Sequence, residues 1–188
     1  MLDTFKMRTT DMPDEMRLLL EDYPREAWDE HPGFKDKTRQ WLSAHRGFEF
    51  LVGRVTESAE IYLDQNEEGE AFARLLSYYG GILVGNLHGH HTWEDRHYFP
   101  ELSAADPRFD AGLELLEQDH ADLDQVLDQF VEVSNRTIKL MQLDEAQARE
   151  EAAKVREAGV VIGKFLDRHL GDEEDLAVPI ILHHRLRG

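Results

Sequence analysis

The sequence predicts an all-α protein, an antiparallel up-down-up-down four-helix bundle preceded by an N-terminal extension. Three observations predict it. Apolar residues recur at alternating steps of three and four through four long stretches, while nothing alternates with period two over a useful length. Short links join these stretches, which favours antiparallel neighbours. A motif also repeats at a constant offset of 79 residues: His90, Glu94, Asp95 and Pro100 map without a gap onto His169, Glu173, Glu174 and Pro179. The lead-in follows, with Gly80-Gly81-Ile82-Leu83 over Gly159-Val160-Val161-Ile162 and Leu87 over Leu166. Such a repeat describes two copies of one helical unit, each carrying a histidine and a glutamate to the same place.

Composition narrows the function. A chain of 188 residues suits one domain and is long enough to bury a core. With 39 acidic against 21 basic residues the formal charge is −18, which repels nucleic acid and anionic membrane and draws cations. The absence of cysteine excludes disulfides, thiolate metal sites and iron–sulfur clusters. No apolar run is long enough to span a bilayer, and the first six residues lack the apolar core of a secretory signal. The expected location is cytoplasmic.

The extension, residues 1–34, is interrupted by Pro13, Pro24 and Pro32 and does not read as core. Residues 16–20 suit a short helix and 23–31 another turn or two; His31 reads as solvated, and Trp28 as packing the arm onto the main body, residues 35–188. The first long helix is expected over about residues 36–63, with Trp41, His45, Phe48, Val52, Val55, Ala59 and Tyr62 along its seam. A break at residues 65–69 leads to the second, about 70–99, with Phe72, Leu76, Tyr79, Leu83, Asn86, His90, Glu94 and His97. Glycines at 80, 81, 85 and 89 lower its intrinsic helicity, so packing must hold it. Pro100 should end or kink it, leaving residues 100–110 as a turn-rich connection. The third helix, about 111–141, has Leu113, Leu116, His120, Leu123, Leu127, Phe130 and Ser134 in unbroken alternation. Asp144 and Gln147 form a capping box for the fourth, about 145–175, with Val155, Ala158, Ile162, Leu166, His169, Glu173 and Leu176 on one stripe. His183 and His184 fall in a surface tail that ends Arg185-Leu186-Arg187.

His45, His90, His120 and His169 each hold a core-facing position, one per helix. His45 and His120 lie about ten residues after their helices begin; His90 and His169 lie about ten before theirs reach proline. In an antiparallel bundle all four then fall in one layer, about 15 Å from one end. Burying four imidazoles and two glutamates together is strongly unfavourable without compensation, and a metal supplies it. Imidazole with carboxylate and no sulfur suits iron, manganese or zinc. Two carboxylates able to bridge and four histidines able to cap fit two metals better than one, with redox-active iron expected and zinc the alternative. Each histidine is also followed one turn later by an acid: Glu49, Glu94, Asp124 and Glu173. Glu49 is expected behind an imidazole N–H; Asp124 could serve there or as a ligand.

At these residues the chain resembles the hemerythrin-like family, the HHE cation-binding domain, over roughly residues 36–182. The resemblance rests on His45, His90-x-x-x-Glu94 with Phe99-Pro100, His120, and His169-x-x-x-Glu173 with Val178-Pro179. It implies a non-haem centre of two iron ions (alternatively manganese or zinc), with an oxo or hydroxo bridge, inside a four-helix bundle. Glu94 and Glu173 would bridge the metals, and the four histidines would cap them. Dioxygen, another small diatomic or peroxide would be the ligand, and any signal would pass to a separate protein partner. Two departures matter. Oxygen-carrying hemerythrins have a second histidine one turn after that of the third helix, where this chain has Asp124, which argues against reversible oxygen carriage. They also place the fourth-helix bridging acid five after its histidine; here Glu173 and Glu174 both offer a carboxylate, and the repeat favours Glu173. The chain is more similar to regulatory or iron-handling members, whose centre changes state with oxygen or nitric oxide.

Other readings stay open. Ferritin-like proteins use Glu-x-x-His, which Glu94 with His97 and Glu117 with His120 match; that reading makes His97 a ligand but breaks the repeat. The bundle could instead be an enzyme of peroxidase or nitric-oxide-handling type, or an interaction module stabilised by zinc. His88 and His91 are expected to face solvent or a neighbouring helix, and Trp93 and Tyr98 to pack near the site.

Overall fold

The computed structural model describes residues 7, 8, 10–65 and 69–186. The expected break falls largely on Asn66, Glu67 and Glu68, which lie outside the described residues, as do the first six residues and Arg187. Among the described residues every regular element is helical and no strand occurs. A short α1 (Leu18–Asp22) follows a 3₁₀ turn over Asp14–Arg17; the long helices are α2 (Asp36–Gln65), α6 (Asp110–Leu140) and α7 (Glu145–His184). Between α2 and α6 lies a composite run of α3 (Gly69–Leu75), α4 (Gly81–Trp93) and α5 (Phe99–Ala105), joined by π-turns at Leu76–Gly80 and Glu94–Tyr98.

The regular seams are buried as the three-four alternation requires. Trp41, His45, Phe48, Val52, Val55, Ala59 and Tyr62 of α2 all face inward, and so do the expected residues of α6 and α7. Asp144 caps α7, accepting the Gln147 backbone N–H at 3.1 Å.

The composite run departs from expectation. Its buried positions are Phe72, Leu76, Gly80, Leu83, Leu87, His91, Glu94, Phe99 and Leu102, whereas Asn86 and His97 point to solvent. Each π-turn adds a residue to one turn and rotates everything after it, so a count that assumes regular helix drifts off the seam. Neither proline stops its helix. Pro100 sits in the first turn of α5, where its missing N–H costs little, and the expected connection over 100–110 is α5 followed by a 3₁₀ turn at Pro107–Phe109. Pro179 lies inside α7, which continues to a left-handed Arg185. The lost hydrogen bond is offset by burial of Val178, Pro179, Ile180, Ile181 and Leu182.

Two apolar clusters form the core. One gathers Phe48, Val52, Tyr62, Phe72, Leu87, Leu123, Phe130, Ile162 and Leu166. The other gathers Trp41, Phe99, Leu102, Leu116, Leu176 and Ile181, and takes in Met12, Met16, Leu19, Trp28 and Phe34. The extension therefore contributes core, contrary to its proline-broken sequence. Trp28 is buried in this second cluster, its indole N–H donating to the Tyr23 carbonyl at 2.8 Å. Contacts between long helices run in opposite senses: along α2, His45, Thr56 and Tyr62 meet Glu174, Gly159 and Arg149 of α7. Along α6, Gly112, His120 and Arg136 meet Leu176, His169 and Glu151. A Cβ on Gly159 would stand 2.5 Å from Thr56 Oγ1, so glycine is what lets α2 and α7 close here.

Candidate metal centre

Between the two clusters lies a polar layer. His45 comes from α2, His120 from α6, His169 and Glu173 from α7, and His90 and Glu94 from the end of α4 and the π-turn that follows it. All six side chains meet. His45 Nε2 is 3.1 Å from His90 Nε2, and His120 Nε2 is 3.1 Å from His169 Nε2. The glutamates stand between these pairs: Glu94 lies 2.8 Å from His90 Nε2 through Oε1 and 3.8 Å from His120 Nε2 through Oε2. Glu173 Oε2 lies 3.5 Å from His45 Nε2 and 3.9 Å from His169 Nε2. Both carboxylates are fully buried.

The outward ring nitrogens of His45, His120 and His169 are held by acids. His45 Nδ1 is 2.9 Å from Glu174 Oε1, His120 Nδ1 is 2.7 Å from Asp95 Oδ1, and His169 Nδ1 is 3.4 Å from Asp119 Oδ2. A carboxylate accepts only from Nδ1–H, which leaves each neutral ring with an Nε2 lone pair aimed inward. Burial pushes the His45 imidazole below its ordinary range and that of His169 down to about 4, and the acids behind them only partly oppose this. Burial raises Glu173 strongly, reinforced by the adjacent Glu94 charge. Glu94 is also disfavoured by burial, but His90, His120 and the Trp41 indole, which donates to Oε1 at 2.6 Å, hold it below the ordinary range. Glu94 Oε2 and both Glu173 oxygens are buried without a hydrogen-bond donor. Inward lone pairs, facing nitrogens and undonated carboxylate oxygens are a donor set for cations.

Other sequence candidates lie apart. Glu49 is exposed on the outer face of α2. The Asp124 side chain is 48% exposed and stands 3.7 Å from His88 of α4, outside the layer. Glu174 sits behind His45. His97 is exposed, resting against the Trp93 carbonyl and ring, so the Glu-x-x-His reading loses its ligand.

Sequence reasoning missed two groups and left a third open. Asp95 and Asp119 hold the rings of His120 and His169, whereas the additional acids considered were Glu49, Asp124 and Glu174. His91, expected to face solvent or a neighbouring helix, is 3% exposed and stacks on His120 of α6 at 4.0 Å. His90 and His91 straddle the inner line of α4, so both reach inward. Their adjacency was visible in the sequence; the register set by the first π-turn was not. On the α2–α4 side a groove of about 380 Å³, lined by Gly47, Phe48, Gly85 and Gly89, opens onto His90, whose side chain is 11% exposed.

The family model for the hemerythrin HHE cation binding domain matches residues 36–181. No curated protein and no solved structure matches the chain. None of the helices in the described residues is long and apolar enough to cross a membrane.

Proposed function

The chain belongs to the hemerythrin HHE cation-binding family, and from that premise we propose that it holds two iron ions in the histidine layer and changes state with oxygen, nitric oxide or redox conditions. In this reading His45 and His90 take one ion, His120 and His169 take the other, and Glu94 and Glu173 are shared. The observation that carries it is the set of undonated Glu94 and Glu173 oxygens set between two 3.1 Å Nε2 pairs. Imidazole with carboxylate, and no sulfur, suits iron, manganese or zinc; a centre that changes state with redox conditions needs a redox-active metal, which iron is and zinc is not. The up-down-up-down antiparallel four-helix bundle belongs to the same proposal, supported by the opposed contacts of α7 with α2 and α6.

When bound, the ions supply electrons and coordination positions for a small ligand. The chain's own residues prepare that chemistry. Glu174, Asp95 and Asp119 keep a proton on Nδ1 and so present Nε2. Trp41 fixes Glu94 by its indole N–H, and the flanking apolar clusters exclude bulk water. The groove at His90 gives a small molecule its approach.

Elemental analysis of protein purified without added metal, with visible spectra in air and after reduction, tests the proposal. Two irons per chain and a spectrum that changes on reduction are expected. Colourless protein holding zinc, or no metal, would overturn it.

A further inference from the structure

His91 has no structural partner that explains it. It is 3% exposed, and neither ring nitrogen has a hydrogen-bond partner. Its ring lies parallel to that of His120 at 4.0 Å and edge-on to that of His169 at 5.6 Å. A histidine kept for packing normally satisfies at least one nitrogen, since burying both unpaired is costly, and phenylalanine would fill the same stack without that cost. One nitrogen from each of His91, His120 and His169 lies within 4.8 Å of the others. Metal–nitrogen bonds of about 2.0–2.1 Å place two ligands of one ion up to about 4.2 Å apart, and an imidazole lone pair lies in its ring plane, so on metal binding the His91 ring would turn out of its parallel stack on His120.

Resting on the metal-centre reading above, we propose that His91 is a third imidazole ligand to the ion held by His120 and His169. The centre is then asymmetric. One ion has three imidazoles and shares the carboxylates. The other has only His45 and His90 with the same carboxylates, and it lies on the side of the groove.

The test titrates metal-free wild type, His91→Phe, His91→Ala and the surface control His88→Ala with ferrous iron without oxygen, and counts retained ions after desalting. Phenylalanine keeps the metal-free stack on His120 and removes the ring nitrogens. Wild type and His88→Ala should retain two ions, whereas both His91 variants should keep one and bind the second more than about tenfold more weakly. Two ions bound with unchanged affinity by a folded His91→Phe overturns the inference and leaves the two-iron reading standing; a wild type that retains no iron sinks both. Mössbauer spectra of iron-57-loaded, reduced wild type give a readout without any variant. Two unequal ferrous doublets are expected, and a single doublet overturns the inference.

Discussion

Arg8 Nη2 lies 2.7 Å from Asp119 Oδ2, the same oxygen that faces His169 Nδ1 at 3.4 Å. A residue of the N-terminal extension thus grips the acid behind a histidine of the layer. The other end of the arm repeats the relationship: Arg25 bonds Glu174 at 2.7 Å, and Glu174 accepts from His45. Each Nε2 pair is therefore backed by a carboxylate tied to the extension.

Arg8→Ala should weaken metal retention about 10–100-fold, because Asp119 then orients His169 less firmly. Arg168 still contacts Asp119 and Arg17 still contacts Asp172, so the fold should lose only about 1–3 kcal/mol. Arg8→Lys should rescue little, since an ammonium cannot span Asp119 and Asp172 as the guanidinium does. Competition against a chelator and a thermal melt check this. Unchanged retention in Arg8→Ala would show that the arm does not support the site.

Glu174→Gln keeps an acceptor for His45 but removes the charge that Arg25 and the imidazole share. Retention of one ion should fall by about tenfold or more. Amide exchange across residues 14–28 should also rise, because Arg25 keeps only Asp175 and the Gly171 carbonyl as anchors. Faster exchange with metal affinity untouched would confine Glu174 to holding the arm.

These tethers bear on what the sequence could disclose. α2, α6 and α7 were legible because their alternation of three and four is uninterrupted, and those helices carry His45, His120, His169 and Glu173. The axial argument gathered the four histidines from residue counts to helix starts and prolines, and the 79-residue repeat added Glu94 and Glu173. The composite run was harder. A π-turn has no residue signature in this chain, so Asn86 and His97 were placed inward and His91 was left off the seam. The supporting acids were hidden for another reason. An acid one turn after a histidine on its own helix is easy to see, yet Glu49 and Asp124 turn away, and the acids that hold Nδ1 of His120 and His169 come from other helices. Arg8 and Asp119 are 111 residues apart, and no spacing rule joins them.

Asp106 supplies a pH dependence remote from the histidine layer. Hydrogen bonds from Arg108, aided by His184 at 2.8 Å, hold its carboxyl well below the ordinary aspartate range although burial opposes them. Because the folded value is depressed, its stabilising contribution is complete above the unfolded value of about 3.9 and is lost as pH falls toward the folded one. Asp106→Asn removes that contribution. The gap in melting temperature between wild type and Asp106→Asn should be largest above about pH 5 and should shrink as the solution is acidified below about pH 4. A gap that widens in acid would contradict the sign.

Gly85 and Gly89 separate stability from access. A Cβ at either position meets nothing within 4 Å, and both residues line the groove that opens on His90. Gly85→Ala and Gly89→Ala should each stabilise the helix by about 1 kcal/mol, because glycine is a poor helix former and no contact opposes the new methyl. For a chain of this length that raises the melting temperature by about 2–4 °C. A larger side chain acts differently. Gly89→Leu would place its branch in the groove one residue from His90 and narrow the approach to the His45–His90 side. Stopped-flow binding of azide or nitric oxide to the iron-loaded protein should then slow by about tenfold or more, with metal content equal to wild type. Alanine should stabilise with little effect on that rate, and leucine should slow the rate whatever it does to stability. An unchanged rate in Gly89→Leu would mean that small ligands reach the layer by another path, and that the glycines leave α2 and α4 apart for some other purpose.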